Sequence, residues 1–82
     1  MTNEIIEPDE ERFELNKEKI YNSYQSQLKI HLALKNKTWR NGFVKEIRAE
    51  FFMFEDRENG VEPIFFMEVR DVKPYVTREE VG

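Results

Sequence analysis

The residues of this chain whose types and spacing could do chemistry are basic and aromatic. Between positions 29 and 45 stand Lys29, Lys35, Lys37, Arg40 and Lys45 with no acid among them, and Trp39 lies between Lys37 and Arg40. Lysine and arginine neutralise phosphate, and an indole face stacks on an unpaired base, so the pattern suits a single-stranded nucleic acid. Lys35, Lys37, Trp39, Arg40 and, further along, Arg48 are the candidate RNA contacts. A single strand is the expected target because duplex RNA hides its base edges. A plainer reading fits the same residues: the lysines as a solvated face, and Trp39 as a core aromatic at one end of the fold.

Catalysis finds no comparable support. His31 is the only histidine, and no cysteine exists to act as nucleophile. Ser23 and Ser26 have no base near them in sequence. Glu55, Asp56 and Glu58 crowd one turn without calcium-loop spacing, where their expected work is to solvate the turn and discourage edge-to-edge association. No enzyme, metal site or cofactor is expected.

The elements that must position these residues follow from pattern. Pro8 followed by Asp9, Glu10 and Glu11 is a helix start: proline has no N–H to waste there, and acids meet the positive end of the helix dipole. A helix is expected over 9–25, with Phe13, Ile20 and Tyr24 on one stripe and Tyr21 at its edge. Leu15 points away from that stripe. Leu28, Ile30, Leu32 and Leu34 alternate with polar or small residues, which predicts a strand with one buried face. Asn36 and Lys37 make a turn. A second strand runs over 39–47, with Gly42 marking a bend or a close backbone approach. A third covers 49–54, and Asn59-Gly60 closes a hairpin into a fourth over 61–66. Pro63 places part of that strand at an edge or bulge. A turn around Glu68 leads to a short fifth strand over 72–76. The expected core is Leu28, Ile30, Leu32, Leu34, Val44, Ile47, Ile64, Val69 and Val72.

Two strands are apolar on both faces: Phe51 and Met53 oppose Phe52 and Phe54, and Ile64 and Phe66 oppose Phe65 and Met67. A small barrel has one interior, so the second face needs cover from the helix, another chain or a ligand. The size of the chain points the same way. Eighty-two residues make one domain, marginal by itself, with no disulfide to brace it. Seven Phe, three Tyr and one Trp supply a dense core, and self-association is expected besides. The net charge of −4 argues against indiscriminate nucleic-acid binding, but the charge is uneven: residues 1–28 carry −4 and residues 29–78 carry +2. No apolar run is long enough to cross a bilayer and the acidic N-terminus is unlike a signal peptide, so a cytoplasmic protein is expected.

The order of helix, five short strands, glycine-bent second strand and tight turn before the last strand resembles the Sm-like family, its bacterial Hfq branch most of all. Ile30 to Asn36 followed by Gly42-Phe43-Val44-Lys45-Glu46-Ile47 is similar to the family's first motif. Ile64, Val69 and Val72 match the apolar positions of its second. The resemblance spans about residues 28–76. It implies a single Sm-like domain over 1–82, with 1–8 and 77–82 flexible: an N-terminal helix followed by a five-stranded, strongly bent antiparallel barrel, mainly β. It also implies an RNA-associated, non-catalytic protein that assembles into a ring or dimer by pairing its fourth and fifth strands, through Ile64, Phe65, Phe66, Val72 and Tyr75. The family's own RNA ligands do not carry over. Arg48 stands where an Asp is usual, Glu50 where the Hfq branch has a stacking aromatic, and Phe65-Phe66 or Phe66-Met67 where a basic pair is usual. The rival expectation is a protein-binding modulator, similar to the small acidic Sm-like inhibitors of Rho, that meets a basic partner through its acidic helix. A structural subunit of a larger particle is a third.

Overall fold

The structure, a computed structural model, describes residues 8–76. Helix α1 (Pro8–Ser26) leads into β1 (Ile30–Leu34), β2 (Trp39–Ile47), β3 (Phe51–Asp56), β4 (Gly60–Phe65), a 3-10 turn (Phe66–Glu68) and β5 (Val69–Pro74). The strands form one antiparallel sheet in the order β4-β3-β2-β1-β5. The fold class is therefore the one expected: mainly β, a helix and then five antiparallel strands. The flexibility expected at 1–8 and 77–82 concerns residues outside those described, except Pro8, which opens the helix.

Each boundary has a local cause. The helix ends where Gln27 takes the left-handed conformation, φ 55°. Its N–H donates to the Tyr24 carbonyl and that of Leu28 to the Ser23 carbonyl, the paired bonds of a Schellman cap. The β1–β2 turn uses Lys37 at φ 72° and is tied by Asn36, whose Oδ1 accepts from the Thr38 N–H and hydroxyl. The β3–β4 hairpin is stapled by Asp56, which accepts from the Asn59 N–H at 2.6 Å. Gly60 alone takes positive φ there, at 74°; Asn59 does not, because the loop has three residues between Asp56 and Gly60 rather than two.

The sheet bends at two places on β2. A Cβ on Gly42 would run into the Glu55 carbonyl oxygen on β3, so only glycine lets the two backbones meet. The register then shifts between Val44 and Glu46, a bulge that adds twist. The bent sheet wraps a single cluster: Ile30, Leu32, Leu34, Val44, Phe52, Phe54, Ile64, Phe66, Val69 and Val72, with Ile20 of the helix inside it. Helix α1 packs against β5, β2 and the 3-10 turn.

Two core residues and three strand bounds need correction: Ile47 is only partly buried against the core, and the fourth strand runs Gly60–Phe65 rather than 61–66. Leu28 is 59% exposed, not core, because it belongs to the helix cap and strand pairing starts only at Ile30. The fifth strand starts at Val69, not 72, because Val69 pairs with Leu34 and Asp71 with Ala33. The third starts at Phe51, not 49. Phe52, Phe54 and Phe66 form the aromatic heart of the core, Phe66 lying 5.2 Å from Phe52 between ring centres. A run apolar on both faces gives no period by which sequence could choose the inner one.

Candidate functional site

Strand alternation sorts the residues of β5, β1 and β2 onto two faces. Ile30, Leu32, Leu34, Val44 and Val72 point into the core, so His31 and Ala33, Trp39, Asn41 and Phe43, and Asp71 and Lys73 share the outer face. Cross-strand partners line up in rows: Asp71, Ala33 and Trp39, then Lys73, His31 and Asn41. Trp39 is 63% exposed, which decides between its two sequence readings: it is no core aromatic. It stands immediately after the turn carrying Lys35 and Lys37, both exposed. One open cleft is lined by Trp39, Arg40, Asn41, Phe43, Lys29 and Tyr75, and from the end of β3 and the β3–β4 turn by Arg57 together with the acids Glu55, Asp56 and Glu58. The Lys29 ammonium lies 4.3 Å from the centre of the Tyr75 ring, a cation–π pair. Lys29 and Tyr75 were not expected at this site together; the contact joins the start of β1 to the end of β5, a pairing that no local pattern announces.

Arg40 lines the same cleft from the other face of β2. Its partner in register is the buried Leu32, so it faces inward at the end of the barrel. Its Nε donates to Asp56 at 2.5 Å and its Nη2 to Glu62 at 3.1 Å. Burial pushes the Arg40 guanidinium down, but its hydrogen bonds and charge contacts with Asp56 and Glu62 outweigh burial and hold it above its ordinary value. Burial likewise pushes the Asp56 carboxyl up. The hydrogen bond from Arg40, those from Asn59 and the Arg40 charge together hold it below the ordinary carboxylate range. This guanidinium is spent on the fold. Arg48 lies beyond the end of β2, pairs with Glu46 and lines a different groove, between α1 and the β2–β3 loop. Of the five candidate RNA contacts, Trp39 and Arg40 line one cleft, Lys35 and Lys37 are exposed on the turn that precedes Trp39, and Arg48 lines the other groove.

The five residues expected at a subunit interface also divide. Ile64, Phe66 and Val72 are core side chains, while Phe65 and Tyr75 are exposed. On the outer face of β3 and β4, Phe65 stacks near Phe51 at 5.6 Å, Met53 faces Pro63, and Val61 is exposed. Leu15, off the helix stripe, lines the α1 groove beside Tyr21, Ile47 and Phe66.

His31 holds no carboxylate. Its Nδ1 lies 2.6 Å from Asn41 Oδ1, a side-chain hydrogen bond between β1 and β2. Among the described residues, no group of three or more His, Asp or Glu could hold a metal ion, and no helix is long and apolar enough to cross a membrane. The site offers aromatic faces, ammonium groups and amides, with the carboxylates of Glu55, Asp56 and Glu58 along one side. No protein-family model and no curated protein matches the chain.

Proposed function

We propose that this chain is a non-catalytic, Sm-like protein that binds single-stranded RNA across the outer face of β5, β1 and β2. The observation that carries the reading is the exposed Trp39, set between the Lys35–Lys37 turn and the cleft that holds Phe43 and the Lys29–Tyr75 pair. Unpaired bases stack on the aromatic faces, and the lysines meet the phosphates. Aromatic residues lie at both ends of the cleft, so more than one base is engaged. The test is a titration of a short unpaired oligoribonucleotide at two salt concentrations. Removing a stacking platform costs about 1–3 kcal/mol per base, so Trp39→Ala weakens binding about tenfold or more with little change in salt slope. Replacing Lys35 and Lys37 with Gln lowers the slope of log K against log salt by about 0.7 for each phosphate left without its ammonium partner. No binding at low salt, where phosphate attraction is strongest, refutes the proposal.

A second reading, a protein-binding modulator, is favoured by the apolar stripe of Phe51, Met53, Val61, Pro63 and Phe65, which faces outward on β3 and β4 and does not include Trp39. A protein ligand would be lost on Phe65→Ser and keep its affinity on Trp39→Ala.

A further inference from the structure

The cleft beside Trp39 holds more than stacking surfaces and cations. Glu55, Asp56 and Glu58 line it too, and phosphates do not account for them, since like charges repel. Two of the three are already engaged. Asp56 accepts from Arg40 Nε at 2.5 Å and from the Asn59 N–H at 2.6 Å, and its side chain is only 6% exposed. Glu55 lies 3.6 Å from the Lys45 ammonium. Glu58 is exposed, and among the described residues it has no ion pair and no side-chain hydrogen bond.

The turn that carries Glu58 is braced. Asp56 holds both the N–H and the Nδ2 of Asn59, and Arg40 ties Asp56 to β2. Arg57 and Glu58 stand between those two anchors and line the cleft from a fixed backbone.

An ionised carboxylate only accepts hydrogen bonds, and its two oxygens suit two neighbouring donors. An unpaired base offers its Watson–Crick edge to the protein. Guanine alone among the four bases puts two donors side by side on that edge, N1–H and the 2-amino group. Adenine and cytosine each set one amino group beside a ring nitrogen that accepts. Uracil sets one N–H between two carbonyl oxygens. A carboxylate therefore gains two bonds from guanine and meets a repelling lone pair on each of the others. A cationic ligand also suits a carboxylate, but Lys29 and Arg57 on the same walls disfavour it.

We propose that this cleft selects guanine in single-stranded RNA, with Glu58 accepting from N1–H and the 2-amino group of a base stacked on the exposed faces of Trp39 and Tyr75. Lys29 and Arg57 meet the flanking phosphates. The proposal rests on the RNA reading above and adds to it a base preference and the residue that sets it.

Uridine hexaribonucleotides carrying one central guanosine, inosine or adenosine test it, titrated against the full chain at low salt. The guanosine oligomer should bind about tenfold more tightly than the adenosine one, whose purine stacks equally well. Inosine keeps N1–H but lacks the 2-amino group, and should forfeit most of that preference. Glu58→Gln replaces two acceptors with one acceptor and one donor, and should bind the guanosine and adenosine oligomers alike. Equal affinity of the wild type for those two oligomers, with binding weakened by Trp39→Ala, overturns the guanine proposal and leaves the RNA reading standing. A guanosine preference that survives Glu58→Gln overturns it in the same way. Binding of none of the oligomers overturns both.

Discussion

Replacing Arg40 with Met tests whether this residue is a fold residue or a ligand contact. The Arg40 and Asp56 side chains are 16% and 6% exposed, so the variant leaves a carboxylate buried without its counter-charge. Breaking such a pair from one side costs about 3–5 kcal/mol. The Glu62 contact adds little, because that carboxylate is nearly half exposed and its charge is screened. At roughly 0.05–0.15 kcal/mol per residue, a chain of this length holds only about 4–12 kcal/mol in all, so the loss is large. Urea unfolding followed by circular dichroism at pH 7 measures it. The pH dependence supplies a second sign. In the wild type the Asp56 pKa is depressed, so its contribution is present above the ordinary carboxylate range and lost as pH falls through the folded value. In Arg40→Met the hydrogen bond and charge of Arg40 are gone, so that pKa lies above its wild-type value and the gap between variant and wild type narrows as pH falls. The double variant Arg40→Met, Asp56→Asn removes the stranded charge and should recover part of the loss at pH 7. A single variant within about 1 kcal/mol of wild type would refute the reasoning, since that is the range of exposed pairs.

Two further contrasts probe the core and the bend. Gly42→Ala sets a methyl group against the Glu55 backbone carbonyl, which cannot rotate aside, and should cost about 1–3 kcal/mol or more in the same unfolding assay. Phe52→Ala should cost about 3–5 kcal/mol, whereas Leu28→Ala, at an exposed cap position, should stay within about 0.5 kcal/mol; equal losses would restore Leu28 to the core.

The local physics of this chain was legible from its residues alone. Period-two alternation placed Ile30, Leu32 and Leu34 in the core, because a strand turns each second side chain to the same face. Pro8 with its trailing acids marked the helix start, and Gly42 marked a close approach, because these depend on backbone sterics within a few residues. What tertiary structure decided was everything that pairs residues far apart in the chain. Arg40 reads as one more cation in a basic run; only Asp56 and Glu62, folded across from β3 and β4, turn it inward. By its type Trp39 reads as a core aromatic first, and only the register, which sets it opposite Ala33, places it on the outer face. Phe52 and Phe51 are interchangeable by composition, and the bend of the sheet chooses between them. Asn16, a polar residue on an apolar stripe, has no meaning until β5 arrives 54 residues later with a carbonyl for it to hold. Sequence spacing records which groups are neighbours along the chain, whereas burial and hydrogen bonding are settled by which groups the fold makes neighbours in space.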